Sequence, residues 1–435
     1  MHDRSTVGGM SSRHEVAPGG ERSLHRLAAA AKATTHRLAA ASTAAKDRAL
    51  ERIAAGLIAR SEEILAANAE DVAAACERGL SGALIDRLRL DAKRLSQIAD
   101  GVHQVRRLPD PVGRIERLET RPNGLRVGRM RVPLGLVGIV YESRPNVTID
   151  AAVLCLKSGN ACLLRGGSEA LRSNRALVAV VQDAVGAAGL PPEAISFVDE
   201  TDREGVRAMA RLSGVIDLLI PRGGEGLIRF VAEHATVPVI QHYKGVCHVY
   251  VDGDADLDMA EAIAINAKVQ RPGVCNAMET LLVDAACAGA FLPRVVPALA
   301  SRGVALRGCP RTRSIAPSVE AATDADWDTE YLDLVLSIRV VDGLDAAIAH
   351  VARHGTGHTE AIVTRDRARG DRFVREVDAS LVLVNASTRF NDGHELGLGA
   401  EMGISTTKLH AYGPMGLEEL CAQKWVGYGE GQVRG

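Results

Sequence analysis

The 435-residue sequence is informative first through what it lacks. Its eight cysteines (76, 155, 162, 247, 275, 287, 309 and 421) contain no Cys-x-x-Cys pair and no Cys/His cluster with zinc spacing. This argues against a metal site and a disulfide framework, and fits the reduced thiols of a cytoplasm. No apolar run approaches the ~18 residues that a membrane span requires. The opening residues carry Asp3, Arg4, Arg13 and Glu15 without an apolar h-region, so no secretory signal is read there, and residues 1–22 are expected to be a disordered tail. A formal net charge of −2 leaves no basic surface for nucleic acid. Neither Gly-x-Ser-x-Gly nor a P-loop occurs, which disfavours serine hydrolases and kinases. There is no internal repeat.

What is present has a clear rhythm. From about Ser23 to Leu108 the chain is Ala-rich, with Leu, Ile and Val at three- and four-residue spacing, the pattern of helices that pack on a sheet. Ser61-Glu62-Glu63 reads as an N-cap with acidic first-turn residues. Leu118–Val132 alternates apolar and basic residues around Pro122-Asn123-Gly124, which predicts a hairpin. A hairpin that small needs a partner, and a second subunit is a reasonable one. Short apolar runs then alternate with helical segments: Leu134–Tyr141, Ala161–Leu164, Ile195–Val198, Val215–Ile220 and Val237–Ile240. A second set comprises Cys247–Val251, Thr280–Val283, Leu334–Val341, Ala361–Thr364 and Leu381–Val384. Continuous apolar strands predict parallel sheets buried on both faces. Two successive α/β units suggest a cofactor domain, a catalytic domain and an active-site cleft between them.

The cleft chemistry is carried by Arg271-Pro272-Gly273-Val274-Cys275-Asn276, a loop between a helical segment and a strand. A thiolate held on such a loop suits acyl transfer, while a small packed cysteine remains the alternative. Arg165-Gly166-Gly167-Ser168-Glu169 and Pro221-Arg222-Gly223-Gly224-Glu225-Gly226 each follow a strand and precede a helix. Glycines there let backbone N–H groups approach phosphate, although neither segment is the Gly-x-Gly-x-x-Gly fingerprint. An Arg beside such a turn could read a 2′-phosphate and favour NADPH. Asn146, in Arg144-Pro145-Asn146, is a candidate oxyanion donor, although a Pro-Asn pair more often simply starts a turn.

Five stretches together resemble the γ-glutamyl phosphate reductases of the aldehyde dehydrogenase superfamily: Val132–Thr148, Leu164–Ser168, Gln270–Thr280, His354–Ala361 and Asn385–Pro414. The similarity runs from about Ser23 to the end. It implies an α/β, aldehyde dehydrogenase-like architecture with a Rossmann-like NADPH-binding domain (23–117 and 133–243) and an α/β catalytic domain (244–408). A small oligomerisation flap and C-terminal segment would comprise 118–132 and 409–435, with a final strand near Lys424–Val433. Cys275 is implied as nucleophile and Asn146 as oxyanion-hole side chain. Glu330 is implied at the nicotinamide ribose, and Arg165 and Ser168 at the adenosine ribose and its phosphate, with Gly223 and Gly224 completing the cofactor cradle. Arg144, Arg271, His358 and Thr359 are candidates for the substrate's phosphate or amino-acid head, a solvated role being equally open for each.

The resemblance further implies NADPH-dependent reduction of L-glutamyl 5-phosphate to L-glutamate 5-semialdehyde through a cysteine thioester, in proline biosynthesis. It implies a cytoplasmic homo-oligomer (dimer or tetramer), a functional link to glutamate 5-kinase, and no metal. One departure is informative. Hydrolytic members of the superfamily carry a Glu-Leu-Gly-Gly-Lys segment before the catalytic domain, whose Glu activates water. Here the corresponding stretch is Val239–Gly245, and no glutamate occurs from residue 234 to 260. Without that base, water is a poor acceptor for an acyl-enzyme.

Overall fold

A computed structural model describes residues 20–241 and 244–434. Of the expected N-terminal tail, residues 1–19 lie outside the described residues, while residues 20–22 already belong to the first helix, Gly20–Ala33. His242 and Tyr243 of the Val239–Gly245 stretch also lie outside them.

The helical reading of the first hundred residues becomes the helices Gly20–Ala33, Thr35–Ala39, Thr43–Ala59, Ser61–Glu77, Gly82–Leu88 and Ala92–Arg107. Polar caps set several of their starts: Ser42 accepts from the Ala45 N–H and Asp91 from the Arg94 N–H. Ser61 is not a cap. It is the first helical residue, and the cap position is Arg60, whose guanidinium instead pairs with Glu63 at 2.7 Å. The apolar stripe Leu50, Ile53 and Leu57 is fully buried against the first sheet's helices.

That sheet has four parallel strands, in the order Ile195–Phe197, Ala161–Arg165, Leu136–Tyr141 and Leu218–Arg222. The third begins at Leu136 rather than Leu134 because Gly135, at φ +126°, turns the chain beside the Asp217 carboxylate. The strand expected at Val237–Ile240 does not form. Pro238 has no N–H to donate, and the segment makes only a bridge between Leu219 and Val239.

The second sheet has seven parallel strands, in the order Glu320–Ala321, Ala305–Gly308, Val335–Val341, Met278–Asp284, Cys247–Val251, Thr359–Val363 and Leu381–Val384. The first two strands, the edge strand Glu320–Ala321 and its short neighbour Ala305–Gly308, are not legible as apolar runs. Alternation along the strands feeds two cores: Val249, Leu281 and Ala361 face one helical layer, and Tyr250, Leu282 and Ile362 the other. Segment 385–420 then leaves this sheet. Met402, Ala411, Met415, Leu417 and Leu420 join the core of the first unit, so the boundary expected at residue 408 is crossed by a strap that packs on both units.

The hairpin is Ile115–Thr120 paired with Arg126–Pro133, and a third strand, Cys421–Tyr428, pairs with its second strand over eight register positions. The final strand therefore lies earlier than the expected 424–433 and ends before Gly429. Trp425 is 66% exposed and Tyr428 49%, and Arg129 lies over the Trp425 ring at 4.9 Å. Exposed aromatics on a thin sheet are the kind of surface that an interface between copies, if formed here, would bury. Replacing both by Ser (Trp425→Ser/Tyr428→Ser) is expected to lower the particle mass in light scattering while leaving the far-ultraviolet circular dichroism unchanged. A wild-type chain that is monomeric at micromolar concentration would remove this role.

Candidate active site

The two sheets face each other through opposite ends. The first contributes the carboxyl ends of its strands: Tyr141 leads to Glu142–Asn146, Arg165 to Gly166 and Gly167, and Arg222 to Gly223 and Gly224. The second contributes what precedes its strands. Gly245 comes before Cys247–Val251, Cys275 before Met278–Asp284, Glu330 before Val335–Val341 and His358 before Thr359–Val363.

Cys275 is half-buried on the loop between the helix Leu257–Val269 and the strand Met278–Asp284. Asp256 fixes the helix start by accepting from the Asp258 and Met259 N–H groups at 3.0 and 3.1 Å. The loop is gripped from behind. The Cys247 thiol donates to the Cys275 carbonyl at 3.2 Å. A Cβ at Gly245 would lie 1.9 Å from that same carbonyl oxygen, so only glycine fits there. The Asn276 amide donates to the Asn391 carbonyl at 2.9 Å and accepts from the Arg389 guanidinium. Glu330 accepts from the Gly245 N–H at 3.0 Å, and burial raises its carboxyl above the usual range.

His358 and Thr359 have no exposed surface. The His358 Nδ1 lies 2.7 Å from Thr359 Oγ1 and 3.7 Å from Cys247 Sγ, and Asn391 donates to Thr359 Oγ1 at 2.7 Å. Burial holds His358 down at about 4, so its ring is neutral near pH 7 and is no cationic phosphate ligand.

Positive charge comes instead from arginines. Desolvation, with Arg222, Arg87 and Arg271 as neighbours, pushes Arg144 down to about 10, and Cys275 stands among the groups that act on it. Arg389 is half-buried and donates to Gln270 at 2.8 Å. Its guanidinium is held below its ordinary value by burial and by Arg271, while Asp392, Cys275 and Cys247 pull the other way. Of these, the sequence had marked Arg144 and Arg271 as substrate candidates. Arg222 had been read only as part of a cofactor turn, and Arg87 and Arg389 were missed, since isolated arginines in a helix and a loop carry no periodic signal. Glu401 was missed likewise. It is half-buried, accepts from the Gly393 N–H at 2.9 Å, and is raised by burial against the pull of Arg222.

Asn146 is the second residue of the helix Pro145–Lys157 and donates to Asp150 at 2.9 Å. An amide carries two N–H donors, and this bond uses one. Burial raises the Asp150 carboxyl to about 6, with the Asn146 bond opposing.

On the first unit's side, Gly224 caps the helix Glu225–His234, and its N–H donates to Glu142 at 3.0 Å. A Cβ at Gly223 would lie 2.4 Å from the same carboxylate. A helix start that already takes a carboxylate on its amide, with no Cβ in the way, can take a phosphate. Ser168 is exposed at the start of a single 3₁₀ turn. Arg165 is only 5% exposed; its guanidinium donates to the carbonyls of Thr201 and Asp202, while its Nε has no partner among the described residues. Groups of three or more His, Cys, Asp or Glu able to hold a metal are absent among the described residues.

Comparison with known proteins agrees with this layout. The family model described as "Aldehyde dehydrogenase family" matches residues 11–323. The gamma-glutamyl phosphate reductase of Moorella thermoacetica is 58% identical over 392 residues, covering 90% of this chain and 94% of that protein. The Thermus thermophilus gamma-glutamyl phosphate reductase is 59% identical over 389 residues, covering 89% and 94%. Among solved structures, the gamma-glutamyl phosphate reductase of Thermotoga maritima superposes with a TM-score of 0.93 at 48% identity, covering 95% of this chain and 100% of that one.

The burial of His358 has a direct spectroscopic consequence. In a ring-selective NMR titration its resonances are expected to stay those of a neutral imidazole across about pH 5.5–8, where an unperturbed histidine would change charge. A midpoint near 6.5 for His358 would show that its pocket admits water.

Proposed function

The chain belongs to the aldehyde dehydrogenase family, and from that premise we propose that it reduces L-glutamyl 5-phosphate to L-glutamate 5-semialdehyde and phosphate with NADPH, as a step of proline biosynthesis. The observation that carries this reading is a half-buried cysteine on a fixed loop that acts electrostatically on Arg144 and Arg389, Arg144 having Arg87, Arg222 and Arg271 as neighbours and Arg389 having Arg271. Crowded guanidiniums repel one another, and a ligand with a phosphate and a carboxylate relieves that repulsion.

The Cys275 thiolate attacks the acyl carbon, a C–S bond forms, and the C–O bond to phosphate breaks with its electrons leaving on phosphate. The Cys275 N–H and Asn146 face the developing oxyanion, while Arg144 and Arg271 hold the phosphate. His358 and Thr359 support the nucleophile loop from behind through Cys247 and Asn391. NADPH, when bound, would supply the hydride that takes the thioester carbon to the aldehyde level; the C–S bond then breaks with its electrons returning to the Cys275 sulfur, which frees the aldehyde and restores the thiolate. The cofactor would be held by Gly223, Gly224, Ser168 and Glu330, with Arg165 steadying the turn beside the adenosine phosphate. In this reading the unit of the four-stranded sheet serves the cofactor, the unit of the seven-stranded sheet the chemistry, with the strap 385–420 packed on both, and the three-stranded sheet of 115–133 and Cys421–Tyr428 the contact between copies.

The test runs the reaction backwards. With glutamate semialdehyde and NADP⁺ in phosphate-free buffer, NADPH formation should be slow. Added phosphate or arsenate should raise it by about 10²–10⁴-fold, the worth of the general base that water lacks here. NAD⁺ should be the poorer oxidant, and Cys275→Ala should abolish the rate in every arm. Comparable rates without phosphate would restore a hydrolytic reading, and stimulation by coenzyme A alone would make the chain a different acylating dehydrogenase.

A further inference from the structure

Lys268 and Glu279 form an ion pair with no exposed side-chain surface, Nζ to Oε2 at 2.6 Å. They bracket the nucleophile loop: Lys268 lies in the last turn of the helix Leu257–Val269, and Glu279 is the second residue of the strand Met278–Asp284. The other carboxyl oxygen of Glu279 accepts from the Leu332 N–H at 3.2 Å. One buried side chain therefore ties together the helix, the strand and the turn at Leu332.

Leu332 is an unusual residue for that turn. Its φ is +53°, in the left-handed region that a Cβ disfavours, and its side chain is 45% exposed, so core burial does not hold it there. What holds the backbone is its N–H bond to Glu279, with its carbonyl 3.6 Å from the Cβ site of Gly273 on the nucleophile loop. Two residues earlier in the same turn, Glu330 meets the Gly245 N–H at 3.0 Å, and Gly245 lies against the Cys275 carbonyl. Stability alone is a weak reason for such a pair, because apolar side chains of similar volume commonly replace buried ion pairs at no loss.

We infer that Glu279, held by Lys268, is a positioning residue: through the Leu332 N–H it fixes the turn that presents Glu330 to Gly245 and to the bound cofactor. The cofactor half of this statement rests on the role proposed for Glu330 above. The Gly245 half does not.

The decisive variant is Lys268→Met/Glu279→Leu, which removes both charges and the acceptor while keeping the volume. It is expected to melt at or above the wild-type temperature. Hydrogen exchange at the Gly245 amide should nonetheless quicken about tenfold, and NADPH should bind about tenfold more weakly by fluorescence titration, the scale of one lost hydrogen bond. Adding Glu330→Gln to that variant should weaken NADPH no further, since the two changes would act through one contact. Glu279→Gln keeps an acceptor oxygen and should return Gly245 exchange to near the wild-type rate; it also serves if the double variant does not fold. Unchanged exchange at Gly245 in a folded Lys268→Met/Glu279→Leu protein overturns the inference, as would a rate in Glu279→Gln equal to that of a strand-melted control. Faster exchange with unchanged NADPH affinity would uphold the positioning role and retire the ribose role of Glu330 instead.

Discussion

The backbone at Gly245 approaches that at Cys275 more closely than any side chain would permit, with a Cβ position 1.9 Å from the Cys275 carbonyl oxygen. From that contact the arrangement of the cleft follows. The Gly245 N–H is free to reach Glu330, the neighbouring Cys247 thiol reaches the Cys275 carbonyl, and the Val246 N–H reaches Thr356. Three loops that are far apart in the chain become a single wall behind Cys275. A wall of this kind fixes the backbone of Cys275 while leaving the residue half-buried, an arrangement compatible with the covalent role proposed for it.

Charge is distributed to match. Desolvation and neighbouring guanidiniums press on Arg144 and Arg389, and Cys275 is among the groups that act on both. His358, a candidate from the sequence for the substrate's phosphate or amino-acid head, is held neutral near pH 7 by its burial. The buried acids near it, Glu330 and Glu401, are raised by desolvation. Guanidiniums gathered in this way supply donors suited to an anionic ligand, whose binding would relieve their mutual repulsion.

Both sheets are parallel, yet they serve the cleft through opposite ends. The four-stranded sheet uses strand carboxyl ends, where helix N-termini and glycine turns gather, the usual place for a phosphate-bearing cofactor. The seven-stranded sheet uses the loops that enter its strands. The strap of residues 385–420 makes this opposition stable. Asn391 bonds Thr359 on one unit, and Leu417 and Leu420 enter the core of the other. Cleft closure is therefore built from chain that belongs wholly to neither sheet.

Local chemistry fixed much of this in advance. Apolar runs determined the strands Cys247–Val251 and Leu381–Val384 to the residue, the Pro122-Asn123-Gly124 turn determined the hairpin, and the Pro-Gly lead-in placed Cys275 on a loop between helix and strand. These depend on period, turn residues and breakers, which act over a few positions. The same local signals misplaced a strand at Val237–Ile240, where Pro238 denies the ladder a donor, and a cap at Ser61, where Arg60 takes the position. What only the tertiary structure decided is long-range. Arg87, Arg222 and Arg389 come to one cleft from a helix, a strand end and a strap. Gly245 is obligatory because of a carbonyl thirty positions downstream, and Lys268 and Glu279 pair across the nucleophile loop to hold a strained Leu332. Such contacts leave no periodic trace, because they are set by packing between segments rather than by the conformational preference of any one of them.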